Sequence, residues 1–324
     1  MPQTTPNAPA GENTTAPHDP RAFIMTDSAS DITQEEAEEL GIHIVPLTTT
    51  FPDGTYRDGV DVTAEEFYEK VASTDSIPFT SQPSPAEFLS AFETSLSSAD
   101  GIVCITISSG LSGTYQSACI ARDDLPERLR SRVHIVDSLT CSIAEGLLVR
   151  VAIRMRDAGK AAEAIALEME RQRSKVHIVA LVDTLDYLSK GGRMPKALAS
   201  AATILSIRPV IGTVDGKVAL LGQARGPKKG QNVLTKVVHQ HGGVNFSLPF
   251  HLAYSGSGRD LLERYWEEND DLHDAWHEEP PISMLGPVIG THAGPGAIAV
   301  AFFENDEAQG APDARDARAK RTIV

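Results

Sequence analysis

Residues 102–118 read IVCITISSGLSGTYQSA, and they join the strand, turn and helix that decide the fold. The apolar run at residues 102–105 predicts a short strand that is buried on both faces of a sheet. Helical composition begins at Thr114, so the turn before it places backbone N–H groups near the positive end of a helix. Such a junction suits a carboxylate or a phosphate. The alternative is that the serines of this turn only cap the helix and shape a tight turn.

Strands alternate with helices through the first half of the chain. Helix starts are indicated at Thr33, Thr63 and Ser84, each followed three residues later by a glutamate, as in a capping box. Strand patterns occupy residues 22–26, 42–47, 102–105 and 133–138. This alternation predicts a largely parallel sheet with helices on both faces, a three-layer α/β domain. Ligands of such sheets bind at the carboxyl ends of the strands.

The second half of the chain has the pattern of a smaller α/β domain. Strands are predicted at residues 176–182, 251–254 and 297–302, a hairpin at 208–224, and helices at 195–205 and 228–241. The predicted organisation is a disordered tail at residues 1–21, a first domain at 22–170, a second domain at 171–304 and a loose tail at 305–324.

The charge balance limits the classes of partner. The 324 residues include 29 Lys and Arg against 44 Asp and Glu, which gives a net charge of −15. This excess of acid disfavours general binding to nucleic acid or to an anionic membrane surface. Between residues 190 and 236 the balance is reversed, because Asp215 is the only acid among many basic side chains. A local basic patch on an acidic protein indicates an anionic ligand or an acidic partner surface.

The cysteines and the N-terminal composition bear on the compartment. Three cysteines, none in a Cys-x-x-Cys pair, predict buried thiols in a reducing compartment. Residues 1–20 lack an apolar segment and a basic start, and no later run is long enough to span a bilayer. We therefore expect a cytoplasmic protein with no integral membrane segment.

Tests for familiar chemical motifs leave two candidate residues. The turn at Gly110 fails as a Gly-x-Ser-x-Gly nucleophile elbow, because its second glycine comes one position early. No P-loop occurs, and the pair His239 and His241 has no acidic or cysteine partner nearby, so no metal site is predicted. His292 lies among glycines and prolines, and Arg193 follows two glycines. Both are candidates for binding an anion.

Several motifs, taken in order, carry a resemblance to a known family. They are MTDS at residues 25–28, TSQPS at 80–84, ISSGLSGTYQSA at 107–118, YLSKGGR at 187–193 and GPVIGTHAGPG at 286–296. Together they resemble the DegV family, bacterial fatty-acid-binding proteins that serve as the FakB component of fatty acid kinase. The resemblance runs from about residue 22 to residue 304.

The resemblance implies an α/β protein of two domains, the first with a parallel sheet and the smaller second with a mixed sheet, which hold one long-chain fatty acid in a tunnel between them. The carboxylate contacts would be Thr80, Ser109 and His292, with Ser108, Arg193 and Thr291 near the head group. A partner, the ATP-dependent fatty acid kinase with a dihydroxyacetone-kinase-like domain, would dock or contact the phosphoryl group at Arg225, Lys228 and Lys229.

In this interpretation the protein has no catalytic residues, no metal and no cofactor other than the bound fatty acid. It presents the carboxylate for acyl-phosphate formation in phospholipid metabolism. About 14 buried methylenes would contribute on the order of 10 kcal/mol before costs. A hydrogen bond to the carboxylate adds only about 1.5–3 kcal/mol. The acyl chain would therefore set affinity, and the head-group contacts would set orientation.

The alternative function is an enzyme, a hydrolase or phosphotransferase that acts on a small anionic or lipid substrate. It would use Ser109 or Ser112 together with His292. Such chemistry needs a third group that orients the imidazole, and the sequence does not identify one.

Overall fold

A computed structural model describes residues 22–74, 76–194, 207–276 and 278–305. The helix predicted at residues 195–205 lies outside the described residues, as do the first tail and nearly all of the second. The strands are β1 (Ala22–Asp27), β2 (His43–Val45), β3 (Thr48–Phe51), β4 (Gly54–Arg57), β5 (Phe79–Ser81), β6 (Gly101–Thr106), β7 (Val133–Asp137), β8 (Val176–Leu181), β9 (Ile207–Val214), β10 (Lys217–Arg225), β11 (His251–Tyr254), β12 (Ile282–Met284) and β13 (Ile298–Phe303).

The helices include three that begin directly after the predicted caps Thr33, Thr63 and Ser84. They are α1 (Gln34–Leu40), α2 (Ala64–Ala72), α3 (Pro85–Leu96), α4 (Thr114–Asp124), α5 (Glu127–Arg130), α6 (Ser142–Asp157), α7 (Ala162–Gln172), α8 (Asp186–Lys190), α9 (Pro227–Gln240), α10 (Asp260–Glu267), α11 (Asp270–Ala275) and α12 (Pro287–Ala293). The capping boxes at Thr63 and Ser84 are both formed, with reciprocal bonds between the cap and the glutamate three residues on.

The first sheet is parallel, as predicted, with strand order β2-β1-β6-β7. Its strands are almost entirely buried, since helices cover both faces. The pairing brings the carboxyl ends of β1, β6 and β7 to one edge. There the Asp27 carboxylate accepts a hydrogen bond from Ile107 N–H at 2.8 Å, and Asp137 accepts one from Ser109 N–H at 3.0 Å. Acidic side chains at strand ends thus fix the turn at residues 107–113.

The second sheet is mixed, with strand order β10-β9-β8-β13-β11-β12. Only β11 and β12 pair in parallel; the other neighbours are antiparallel. The hairpin of β9 and β10 turns at Asp215 and Gly216, both at positive φ, as the Asp-Gly pair predicted. Helix α6 contacts β1 and β6 of the first sheet and β8, β11 and β13 of the second. One hydrophobic cluster therefore includes Ile24 and Ile178, from opposite sheets.

A third, antiparallel sheet of order β4-β3-β5 was not predicted. The segment between Pro78 and Pro83 has the composition of a loop, but Thr80 and Ser81 belong to the edge strand β5. The pairing of β5 with β3 explains the difference, because Thr48 and Ser81 are partners far apart in sequence. This sheet fixes Thr80 in place, where a loop would not.

Helix α12 was also not predicted, because its sequence is rich in glycine and proline. Pro287 occupies the first helical turn, where a missing N–H costs nothing. Gly290 lies inside the helix because a Cβ there would come within 2.6 Å of the Tyr68 hydroxyl. Gly294 ends the helix at φ +71°. These residues permit a short helix packed closely on α2.

Candidate functional site

An apolar cavity lies between the turn at residues 107–113 and the second sheet. Its walls combine side chains from both halves of the chain: Leu47, Ile107, Leu111, Ile178, Ala180, Val182, Ile211, Val218, Leu285, Val288, Ile289 and Ala299. Alternate residues of β8 contribute, because successive side chains of a strand point to opposite faces. Such a wall excludes water and suits a long apolar ligand.

Polar and charged groups also line this cavity, and two of them form a pair. Thr80 Oγ1 lies 2.9 Å from His292 Nε2, and the pair joins β5 to the last turn of α12. Gly191 allows the imidazole this position, since a Cβ at residue 191 would come within 2.3 Å of His292 Nδ1. The glycine of the YLSKGGR segment therefore makes room for the histidine.

His292 is neutral at physiological pH. Burial of the imidazole, with a smaller contribution from the positive charge of Arg193, lowers the pKa of His292 to about 4. Its Nδ1 atom is buried and has no hydrogen-bond partner among the residues that the structure describes. A neutral imidazole carries one N–H, so it can donate one hydrogen bond at Nδ1 or Nε2.

Arg193 brings a positive charge to the cavity wall. Its Nε donates to the Leu111 carbonyl at 3.1 Å, and its Nη1 donates to the Gly191 carbonyl at 2.8 Å. Within the described part of the chain no carboxylate contacts this guanidinium. The two backbone bonds fix the orientation of Arg193 without neutralising it, so its charge complements an anionic ligand.

Polar residues that the sequence did not assign to the carboxylate also line the cavity: Ser81, Gln82, Ser112, Ser142 and Thr213. Gln82 Nε2 donates to Ser117 Oγ at 3.1 Å, across the first turn of α4. A Cβ at residue 113 would lie 2.2 Å from Gln82 Oε1, so any other residue than Gly113 would displace the Gln82 amide. The only sequence signal for Gln82 was its position in the TSQPS motif.

The other predicted head-group residues have different placements. The Ser109 side chain is exposed and does not line the cavity. Ser108 is buried and donates to the Gly216 carbonyl at 2.7 Å, which ties the turn to the tip of the β9–β10 hairpin. Thr291 is buried and donates to the Pro287 carbonyl within α12. The structure therefore brings together Thr80, Arg193 and His292, and gives Ser108 and Thr291 structural hydrogen bonds.

The predicted docking residues Arg225, Lys228 and Lys229 are all exposed. Arg225 ends β10, and the two lysines lie in the first turn of α9, whose N-cap Gly226 has φ +79°. Lys228 Nζ is 3.7 Å from Glu268 Oε2, an exposed pair that contributes little to stability. Pro227 and Gly230 fit this helix start, because Pro227 is in its first turn and Gly230 packs against Leu181.

The geometry gives the enzyme alternative little support. His292 Nε2 bonds the Thr80 hydroxyl and not a serine. No carboxylate orients the ring through Nδ1 among the residues the structure describes. In that same set no cluster of His, Cys, Asp and Glu could hold a metal ion.

Nor does any helix of the described ranges have the length and apolarity needed to cross a membrane.

Comparison with known proteins relates the chain to one family. A family model described as an uncharacterised protein family, DegV, matches residues 21–305. A DegV domain-containing protein of Caldanaerobacter subterraneus subsp. tengcongensis is 34% identical over 289 residues, which is 87% of this chain and 98% of the relative. A DegV domain-containing protein of Deinococcus radiodurans is 36% identical over 283 residues, 86% of this chain and 97% of the relative.

Solved structures agree with this match. A DegV family protein of Thermus thermophilus, described by its fatty acid binding, superposes with a TM-score of 0.77 at 32% identity and covers 87% of this chain and 99% of its own. A stearic-acid-binding protein of Eubacterium ventriosum gives a TM-score of 0.76 at 28% identity, covering 90% and 100%. The parallel first sheet, the mixed second sheet and the matched motifs have the same explanation: this chain is a member of the DegV family.

Proposed function

We propose that this protein binds one long-chain fatty acid, with the acyl chain in the apolar cavity and the carboxylate beside Thr80, His292 and Arg193. The observation that carries the proposal is a largely apolar cavity that also holds a hydroxyl–imidazole pair and an arginine that no carboxylate of the described residues contacts. Fatty acids bound to its structural relatives support the same ligand class. No cofactor or metal is part of the proposal.

The Thr80–His292 pair suits a carboxylate because a hydroxyl both donates and accepts. With the proton on Nε2, His292 donates to Thr80 Oγ1 over 2.9 Å, and the Thr80 O–H is free to donate to the ligand. The His292 imidazole stays neutral, so the charge of the carboxylate is balanced by Arg193. The hydrogen bonds orient the head group, and the acyl chain supplies most of the affinity.

We further propose that the bound carboxylate is presented to a separate fatty acid kinase, so that the protein itself is no enzyme. Arg225, Lys228 and Lys229 are exposed cations on a chain with net charge −15, and they would dock the kinase or contact its phosphoryl group. In this proposal the protein acts in the cytoplasm, and its two domains span residues 22–170 and 171–304. The acyl phosphate that the kinase forms passes to phospholipid metabolism.

Native mass spectrometry of the protein purified from bacteria tests the binding step. We expect a mass increase equal to one long-chain fatty acid, and uptake of added palmitate after delipidation. A lipid-free mass with no uptake would contradict the proposal.

With a bacterial fatty acid kinase and ATP added, the double variant Lys228→Glu/Lys229→Glu is expected to form acyl phosphate several-fold more slowly with unchanged palmitate affinity. Equal rates of acyl-phosphate formation by the variant and the wild type would contradict the proposed docking role of these lysines.

A paired substitution decides which serine contacts the carboxylate. We assign to Ser112 the contact that sequence analysis gave to Ser109, because Ser112 lines the cavity and Ser109 is exposed. Ser112→Ala is expected to weaken palmitate binding about tenfold, the size of one hydrogen bond to a charged group. Ser109→Ala is expected to change it less than about twofold. Displacement of a fluorescent fatty acid measures both affinities. A larger loss in Ser109→Ala than in Ser112→Ala would assign the carboxylate contact to Ser109.

A further inference from the structure

Helix α12 carries His292 in its last turn, but it is short and has no side-chain cap of its own. Its first turn is instead held by carboxylates from the first half of the chain. Gly286 N–H donates to Asp31 Oδ1 at 2.9 Å, and Val288 N–H points to Asp58 Oδ2 at the longer distance of 3.4 Å. The bond to Asp31 is the shorter of the two, and the preceding residue is held separately, because Tyr68 Oη donates to the Leu285 carbonyl at 3.0 Å.

Asp31 is itself held in a fixed orientation. It ends the turn at Ser28–Ser30 with φ 55°, and its Oδ2 accepts a hydrogen bond from Ser142 Oγ at 2.5 Å. Ser142 is buried and has φ +62°, a conformation that costs energy for any residue other than glycine. This backbone conformation places the Ser142 hydroxyl against Asp31.

The chain of contacts leads from Ser142 to the head-group site. Ser142 Oγ fixes Asp31, Asp31 fixes the Gly286 end of α12, and five residues after Pro287 the helix presents His292 to Thr80. A seven-residue helix rotates or shifts as one body when its first turn is released. Loss of the Asp31 anchor would therefore shift His292 together with Val288 and Ile289, the wall residues on α12, and leave the walls from the second sheet in place.

We propose that Asp31 is a positioning residue for carboxylate recognition: it acts through α12 to hold His292 against Thr80. This inference rests on the proposed function, because it takes a fatty acid carboxylate as the ligand of that pair. Asp31 does not touch the ligand, so its effect depends on the head group. An alkyl alcohol of the same length would occupy the same cavity without the charged contact. The ratio of the affinities for the acid and for the alcohol therefore measures carboxylate recognition specifically.

The test compares the affinities of dodecanoic acid and dodecan-1-ol by displacement of a fluorescent fatty acid. Wild-type protein is expected to prefer the acid by about tenfold or more. Asp31→Gly keeps the φ 55° backbone without strain and is expected to lower this preference at least about fivefold. Asp31→Asn keeps an oxygen for Gly286 N–H and is expected to show the wild-type preference for the acid. Glu145→Gln is the matched control, because Glu145 is a buried carboxyl that bonds Thr26 and not α12.

Ser142→Ala removes the bond that orients Asp31; because Ser142 also lines the cavity, a loss in this variant supports the inference only together with a loss in Asp31→Gly. We expect Ser142→Ala to lower the preference about twofold or more. An unchanged preference in both Asp31→Gly and Ser142→Ala would overturn the inference, and so would equal losses for acid and alcohol, which indicate a structural role alone. Wild-type protein that binds neither compound would instead contradict the proposed function, and the inference with it.

Discussion

Replacing His292 with alanine is expected to weaken fatty acid binding about tenfold or more, with little change in the fold. The substitution removes the partner of Thr80 Oγ1, so the hydroxyl is no longer held in the direction of the carboxylate. The ring is buried at the cavity and packs against Gly191, so the variant leaves a small space that the ligand head group or water can fill. Isothermal titration with palmitate measures the change.

Moving the ring is expected to have the same effect as removing it. In Gly191→Ala the new Cβ would lie within 2.3 Å of His292 Nδ1, so the imidazole must swing away from Thr80. Gly192→Ala is the matched control: Gly192 has φ +71°, and a Cβ added there would meet no atom of the described residues within 4 Å, so its substitution costs about 1 kcal/mol of stability and leaves affinity unchanged. Unchanged affinity in His292→Ala would remove the histidine from the site.

A further control separates the site from general loss of a buried histidine. His134 is half-buried on β7, and burial lowers its pKa, but it does not line the cavity. His134→Ala is expected to keep wild-type affinity for palmitate. Equal losses in His134→Ala and His292→Ala would indicate that both act through stability.

Local chemistry explains which parts of the fold could be predicted. The helix starts at Thr63 and Ser84 depend on a cap and a glutamate within four residues, and the hairpin at Asp215 depends on an Asp-Gly pair. Buried parallel strands were recognised for a similar reason, since each is a continuous apolar run. These signals lie within a few neighbouring residues, so a single sequence contains them.

The missed elements depend on contacts between distant residues. Strand β5 forms because Thr48 and Ser81 pair across the antiparallel sheet, and its own composition is that of a loop. Helix α12 contains Gly290 because Tyr68 and Phe67 leave no room for a Cβ. In isolation, glycine and proline at these positions predict a turn. Tertiary packing reverses that preference.

The same distinction applies to the site. The motif identified the turn at residues 107–113, but not which of its serines faces the cavity, because that depends on bonds made by Asp137 and Gly216. The buried acids Asp31 and Asp58 gave no signal at all, since their partners in α12 are more than 200 positions away. A sequence motif locates a site more reliably than it assigns the contacts within it.

Buried carboxyls should make this protein less stable as pH rises through neutrality. Burial raises the pKa of Asp27 and of Asp31 to about 7, and burial together with the charge of Asp31 raises the pKa of Asp58 to about 8. Each folded carboxyl keeps a proton that the unfolded chain releases above its ordinary value of 3.8. The free energy of unfolding therefore falls as pH rises from about 4 towards these raised values.

Two buried histidines act in the opposite direction at lower pH. Burial lowers the pKa of His292 and of His251 to about 4, so the unfolded chain takes up protons below about 6.5 that the folded chain does not. Their contribution is lost as pH falls from 6.5 to 4, and it is nearly constant above that range. Between about pH 6.5 and 7.5 these histidines contribute equally in wild type and in a carboxyl variant, so the difference between their slopes reports the carboxyl alone.

Asp58→Asn is expected to flatten that slope. The amide keeps an oxygen for Val288 N–H and has no proton to lose, so the variant loses about 1.4 kcal/mol less than wild type for each pH unit in this window. Urea denaturation at pH 6.5, 7.0 and 7.5 measures the difference. Asp61→Asn is the matched control: hydrogen bonds from Arg57 lower the pKa of Asp61 to about 2, so it does not titrate there and its removal leaves the slope unchanged. A wild-type slope in Asp58→Asn would mean that Asp58 is already ionised in the folded protein, and that the first turn of α12 lies beside its negative charge.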